Sequence, residues 1–178
     1  MQKNTNLNSK ILTLAESIVP DIIYRSKLTG IKEVPNWESH LEYDFSKDIP
    51  VSHDSYYIDF GSRNTGKFMH IMQELYPDYN IIDSGHYYYP KTGYMGWHTN
   101  SNKPCKRVYI VYSDGQSFFR YKQGNDIITN YDDIGITVRE FDIPALPEQL
   151  WHCVGSYANR FSFGFRLEWN TSWQVSGG

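Results

Sequence analysis

Apolar positions along the chain follow helical spacing in two places and strand spacing nearly everywhere beyond residue 78. In SKILTLAESIV, Ile11, Leu14, Ala15 and Ile18 lie on one helical stripe, and Pro20 predicts its end. A second helix is predicted across TGKFMHIMQELY, where Phe68, Ile71, Met72 and Leu75 share one face. Asn64 or Thr65 supplies its cap and Pro77 its stop. Residues 20–60 carry no sustained period; within them SYYIDFG reads as a short strand running into a glycine turn. From residue 79 the texture is short strands: YNIIDSGHYYY, MGWHT, RVYIVYS, SFFRYK, ITNY, ITVREFDI, QLWHCVG and RFSFGFRLEW. Lys91-Thr92-Gly93, Asp114-Gly115, Gly124-Asn125 and the stretch from Pro144 to Pro147 punctuate them. Strands this short and closely spaced predict an antiparallel sandwich or jelly-roll barrel. With no repeat or linker in view, the pattern predicts one domain over 1–178. A helical and irregular layer over 1–78 packs on a β core over 79–170.

Composition supports the β reading. Aromatic residues make up 16% of the chain, and these types favour pleated, half-buried strands. A formal charge of −3 and a pI near 6.0 argue against a general nucleic-acid coat protein, which needs a basic face. No apolar run reaches the length of a membrane span, and MQKNTNLNSK lacks the apolar core of a signal peptide. The expectation is a soluble, cytoplasmic protein. Two cysteines do not make a disulfide framework in 178 residues; Cys153 reads as a buried thiol.

Candidate chemistry centres on His98 in GWHTN and His152 in LWHCV. Imidazole suits first-row divalent metals, and two histidines with one carboxylate on a shared face suit open-site ferrous iron. Strand alternation places residue i+2 on the face of residue i, which makes Asn100 the third candidate ligand, as H-x-N. Downstream, Arg160, Ser162, Gly164 and Arg166 alternate with three phenylalanines. Two guanidiniums and a hydroxyl on one face form a fork for a carboxylate, and Gly164 leaves room for a ligand. His70, on the predicted helix, reads as solvated, and His86 as a candidate for the pocket mouth.

On these residues the chain resembles the 2-oxoglutarate/Fe(II) oxygenase superfamily, whose H-x-D/E, distal His and following basic residue match His98-x-Asn100, His152 and Arg160. The segment RFSFGFR is similar to the R-x-S/N-x-x-x-R strand of AlkB-type members. Tyr89, nine residues before His98, matches the Tyr of their N-x-Y, with Tyr87 at the Asn position. The eight-residue spacing from His152 to Arg160 is nearer the hydroxylase branches. The resemblance covers residues 85–170 and implies a double-stranded β-helix. It implies Fe(II) held by His98, Asn100 and His152, and 2-oxoglutarate held by Arg160 and Tyr89, with Arg166, Tyr87 and Ser162 as further contacts. No catalytic group beyond the metal ligands is implied.

Asn100 stands where the family has a carboxylate, and three readings are open. Its amide oxygen binds the metal; water takes the position with a carboxylate elsewhere, Asp114 being the nearest in sequence; or the fold is kept for binding alone. The activity implied is hydroxylation of a small molecule or a protein side chain. The alternatives are an inactive cupin-like binding module and an AlkB-like nucleic-acid demethylase. For the last, Tyr56, Tyr57, Tyr87, Tyr88 and Trp37 would stack on a flipped base, but acidity without a Lys/Arg cluster weighs against duplex binding. Oligomeric state is not legible from the pattern.

Overall fold

The computed structural model describes residues 5–27, 29–61, 66–100 and 104–169. Helix α1 (Thr5–Lys27) is followed by a 3₁₀ turn (Trp37–Leu41), strands β1 (Tyr43–Asp44), β2 (Ile49–Pro50), β3 (Ser55–Tyr56) and β4 (Ile58–Asp59), and helix α2 (Gly66–Leu75). Eight strands then follow: β5 (Tyr79–Tyr89), β6 (Tyr94–His98), β7 (Cys105–Ser113), β8 (Ser117–Gln123), β9 (Asp126–Tyr131), β10 (Gly135–Ile143), β11 (His152–Ser156) and β12 (Arg160–Trp169). The fold is mainly β, a jelly roll with helices packed on one sheet.

Its topology is a set of nested antiparallel pairs. β8 pairs with β9, β7 with β10, β6 with β11 and β5 with β12, as in one long hairpin whose tip is the Gly124–Asn125 turn. Gly124 takes φ 60°, the left-handed conformation that two-residue hairpin turns require. Successive pairs fall in alternate sheets, giving the orders β10-β7-β12-β5-β4 and β3-β6-β11-β8-β9 among the described residues. This is the double-stranded β-helix.

Strand alternation sorts side chains into three apolar layers. Phe161, Phe163, Phe165 and Leu167 on β12, with Val108 and Ile110 on β7, face outward and are covered by Ile11, Ala15, Ile18, Ile22, Phe68 and Met72 of the helices. The outer face of the second sheet buries Phe118 and Cys153 under Trp37 and Leu41. Between the sheets lie Tyr89, Phe119 and Val154, with Tyr57, Tyr87, Met95 and Phe141 around them. That inner layer is thin in aliphatic groups, and the polar site occupies the rest of it.

Two expectations are corrected here. Pro20 does not end α1; the helix runs through it to Lys27, because Ile22 continues the buried stripe on the next turn and its packing outweighs one lost backbone hydrogen bond. SYYIDFG is not one strand: the chain leaves the second sheet after Tyr56 and joins the first at Ile58, so Tyr57 bridges the two sheets. The proposed caps Asn64 and Thr65 lie outside the described residues.

Candidate metal centre and its two chambers

His98 and His152 are direct cross-strand partners at the ends of β6 and β11. Alternation alone would not aim both inward. Counting from Met95, which faces the inter-sheet layer, His98 falls on the opposite parity; an extra residue on β6 between the Val154↔Met95 and His152↔His98 pairs turns it in. The bulge includes Gly96, where an added Cβ would meet the Asp54 carbonyl oxygen at 2.3 Å, so only glycine fits this close approach. The bulge also sends Trp97 outward, where its Nε1 donates to the Leu41 carbonyl at 3.1 Å.

The two rings lie 4.1 Å apart, centroid to centroid. Each donates its Nδ1 hydrogen to the carbonyl two residues upstream, His98 to Gly96 and His152 to Leu150, both at 2.8 Å. That bond fixes the tautomer and leaves both Nε2 lone pairs as donors, the arrangement that metal-binding histidines use. Burial drives the His152 pKa down to about 3, aided by the charge that His98 would carry and opposed by the Leu150 bond. Burial likewise lowers His98, against the Gly96 bond and with Arg107 adding to the effect. Both rings are therefore neutral and ligand-ready at neutral pH.

Asn100 meets the pair, though not through alternation. β6 stops at His98, and Asn100 adopts φ 58°, a left-handed conformation that asparagine tolerates. Its Nδ2 lies 3.3 Å from His152 Nε2. A half-turn about χ2 exchanges this nitrogen for Oδ1, an oxygen donor on the same spot. Among the described residues, no group of three His, Cys, Asp or Glu side chains forms a metal site. Asp114, considered above as a remote ligand, instead accepts two hydrogen bonds from Asn159 at 2.8 and 2.7 Å, closing the turn beside β12.

The histidines look onto an inner chamber lined also by Tyr87, Tyr89, Arg160 and Ser162. Arg160 stands opposite Tyr89 on β5, with its guanidinium carbon 5.1 Å from the Tyr89 ring centre. Arg160 is 2% exposed; its Nε donates to Asp132 Oδ2 at 2.9 Å, while its Nη1 has no partner. Asp132 binds Arg139 through its other oxygen, at 2.5 Å, and accepts from Ser117 at 2.8 Å. Burial alone would raise this carboxyl, but the Arg160 and Arg139 charges outweigh it and hold it below the usual carboxylate range. One carboxylate shared between two guanidiniums leaves a net positive charge in an aromatic enclosure.

An outer chamber of about 320 Å³ adjoins the first and shares Tyr87, Met95, His98 and Tyr109 with it. Burial pushes the Tyr87 hydroxyl up to about 12, with Tyr57 and Tyr109 adding to it, so it stays a hydrogen-bond donor. Asn100 and Arg107 line this outer space.

Of the residues singled out from sequence, the fold brings His98, Asn100, His152, Tyr87, Tyr89, Arg160 and Ser162 together around these chambers. Arg166 is not among the lining residues; it pairs with Glu168 at 3.0 Å, further along β12. Gly164 leaves no ligand space, since a Cβ there would lie 2.2 Å from the Ser84 carbonyl and 2.6 Å from that of Gly85. His86 is 3% exposed and packs on Phe60, Phe163 and Phe165, away from the mouth. The five aromatics considered for base stacking are dispersed: Trp37 and Tyr88 serve separate outer layers, while Tyr57 and Tyr87 face the chambers. Sequence reasoning missed Asp132, Arg139 and Arg107. The signal for Arg139 was its place two residues before inward-facing Phe141.

No protein-family profile and no curated protein matches this chain. Among solved structures it is similar to a prolyl-4-hydroxylase from Pseudomonas putida, at 12% identity and a TM-score of 0.49 over 89% of this chain and 88% of that one. A prolyl hydroxylase from Trichoplax adhaerens, in complex with a hypoxia inducible factor oxygen degradation domain peptide fragment, matches at 12% identity and a TM-score of 0.47, covering 98% and 83%. A cupin domain from Bordetella pertussis matches at 18% identity and a TM-score of 0.31, covering 51% of this chain and 91% of that one. No helix among the described residues is long and apolar enough to cross a membrane.

Proposed function

We propose that this chain is an Fe(II)- and 2-oxoglutarate-dependent dioxygenase that hydroxylates a small molecule or a protein side chain. The observation that carries the reading is the pairing, in one chamber, of two tautomer-locked imidazoles with an unpartnered, buried Arg160 Nη1. The donor set fits the metal: His98 and His152 offer Nε2, and Asn100 offers its amide oxygen after rotation. The orphaned guanidinium nitrogen fits the far carboxylate of the co-substrate, with Ser162 and Tyr89 beside it.

When bound, iron and its 2-oxo acid supply the oxidising chemistry that amino-acid side chains lack. The chain's own share is placement. Gly96 and Leu150 carbonyls hold the imidazoles in register, and Asp132 holds Arg160 with Nη1 free. Tyr87, Met95, Phe119, Phe141 and Val154 form the apolar and aromatic wall of the chamber. The space left in the inner chamber is about 20 Å³, enough for a water molecule. Met95, unbranched and shared with the outer chamber, is the wall side chain best suited to adapt to a five-carbon diacid.

Anaerobic difference spectroscopy with Fe(II) and 2-oxoglutarate tests the reading. A visible charge-transfer band is expected in the parent, absent in His98→Ala and His152→Ala, and strongly weakened in Arg160→Gln. A protein that binds neither iron nor 2-oxoglutarate would sink it. The neutral Asn100 favours a second reading, a binding module without turnover; iron and co-substrate binding with no succinate formed, cognate substrate present, would select it.

A further inference from the structure

Among the described residues, Arg107 is a buried cation without a carboxylate partner. It is 6% exposed, its Nη1 donates to Ser84 Oγ, and its Nε has no hydrogen-bond partner. Among the described residues no carboxylate lies within 4 Å of its guanidinium. Its direct neighbour across the β7–β12 ladder is Arg166, a second positive charge where opposite signs would be the stabilising choice. Arg166 is served by Glu168; Arg107 is not. A fold that keeps an uncompensated guanidinium away from solvent fits an anion that arrives from outside.

The local backbone is shaped to hold it there. β12 skips a residue of β5 between the Phe163↔His86 and Phe165↔Asp83 pairs, and the bulge carries Gly85 at φ 87° with Ser84 beside it. Ser84 is thereby turned to the Arg107 guanidinium, orienting the fork instead of leaving it mobile. The outer chamber that Arg107 lines also contains His98, Asn100, Tyr57 and Tyr109, and its volume of about 320 Å³ falls within the range of small-molecule sites.

We propose that the outer chamber is the substrate pocket, and that Arg107 grips an oxyanion, a carboxylate or phosphate, carried by a small-molecule substrate. This deepens the oxygenase reading and rests on it only for the identity of His98 and Asn100 as the reacting side. Arg107 and Arg160 then divide the labour: the inner guanidinium takes the co-substrate, the outer one the molecule to be oxidised. The anchored group lies on the Arg107 side, so the C–H bond presented to His98 and Asn100 belongs to the remainder of the substrate.

The test uses the metal-free full chain, labelled with ¹⁵N, and reads the arginine Nε–Hε resonances during titration with inorganic phosphate and with sodium acetate at constant ionic strength. The Arg107 resonance, assigned by its loss in Arg107→Gln, is expected to move saturably with at least one of the two ions. The shift should persist in Arg160→Gln and weaken at least tenfold in Ser84→Ala. An Arg107 resonance that stays put with both ions overturns the proposal. So does movement matched by chloride alone, or movement that vanishes in Arg160→Gln. Because neither iron nor 2-oxoglutarate is present, failure here leaves the oxygenase reading standing, and failure of iron binding leaves this result unaffected.

Discussion

The two chambers each contain a buried arginine, yet the arginines are solvated by the protein in opposite ways. Arg160 shares Asp132 with Arg139, so part of its charge is answered before any ligand binds. Among the described residues Arg107 has the Ser84 hydroxyl and no carboxylate, and it faces a roomier, more polar space. A guanidinium with an internal carboxylate is anchored and pre-aimed, at the expense of some attraction for an incoming anion. One without a carboxylate is held less tightly and keeps its full charge for a visitor. Where the counter-charge sits thus separates a cation built into the fold from one kept for recruitment.

The largest effect expected from breaking this contrast is at Asp132. Asp132→Asn leaves Arg160 and Arg139 buried without their carboxylate and should lower unfolding free energy by about 3–5 kcal/mol, measured by urea denaturation. A loss below about 1 kcal/mol would mean that the pair is not the internal anchor described. Next comes pH. In the metal-free protein His152 stays neutral down to about pH 3, whereas in the unfolded chain it takes up a proton near 6.5. The unfolded state therefore binds more protons as pH falls below 6.5, and stability should drop with a slope approaching about 1.4 kcal/mol per pH unit from this residue. His152→Phe should remove that share of the slope between pH 4 and 6; identical slopes in both proteins would refute the assignment. Smallest is the effect at Arg107. Arg107→Gln should change stability by less than about 1 kcal/mol, or raise it, because no internal ion pair is lost. A loss comparable to that of Asp132→Asn would erase the distinction between the chambers.

Much of this architecture is legible in the chain. The strands Tyr79–Tyr89 and Arg160–Trp169 were read at their observed bounds, because alternating apolar residues bracketed by turns leave little freedom. His98, His152, Arg160 and Tyr89, singled out by their order and residue type, line one chamber, and Cys153, expected as a buried thiol, packs with Phe118 and Trp37 on the outer face. Parity failed at the bulges. Gly96 shifts the face of His98, and the left-handed Asn100 returns to the pair by a turn that no period predicts. Gly164 was read as space for a ligand but is occupied by a neighbouring strand's carbonyls, which sequence cannot display.

The alternation of apolar and polar residues by itself determined that the chain forms short antiparallel strands under amphipathic helices, because side-chain direction in a strand is a local property. It also supplied the histidines, tyrosine and arginine that the fold gathers around the inner chamber. Only the tertiary structure decided which charges meet. Asp132, Arg139 and Arg160 come from three segments, and their pairing depends on two sheets closing over each other. The isolation of Arg107 has the same origin, since whether a buried cation has a carboxylate within reach is a property of the packed barrel and of no single strand.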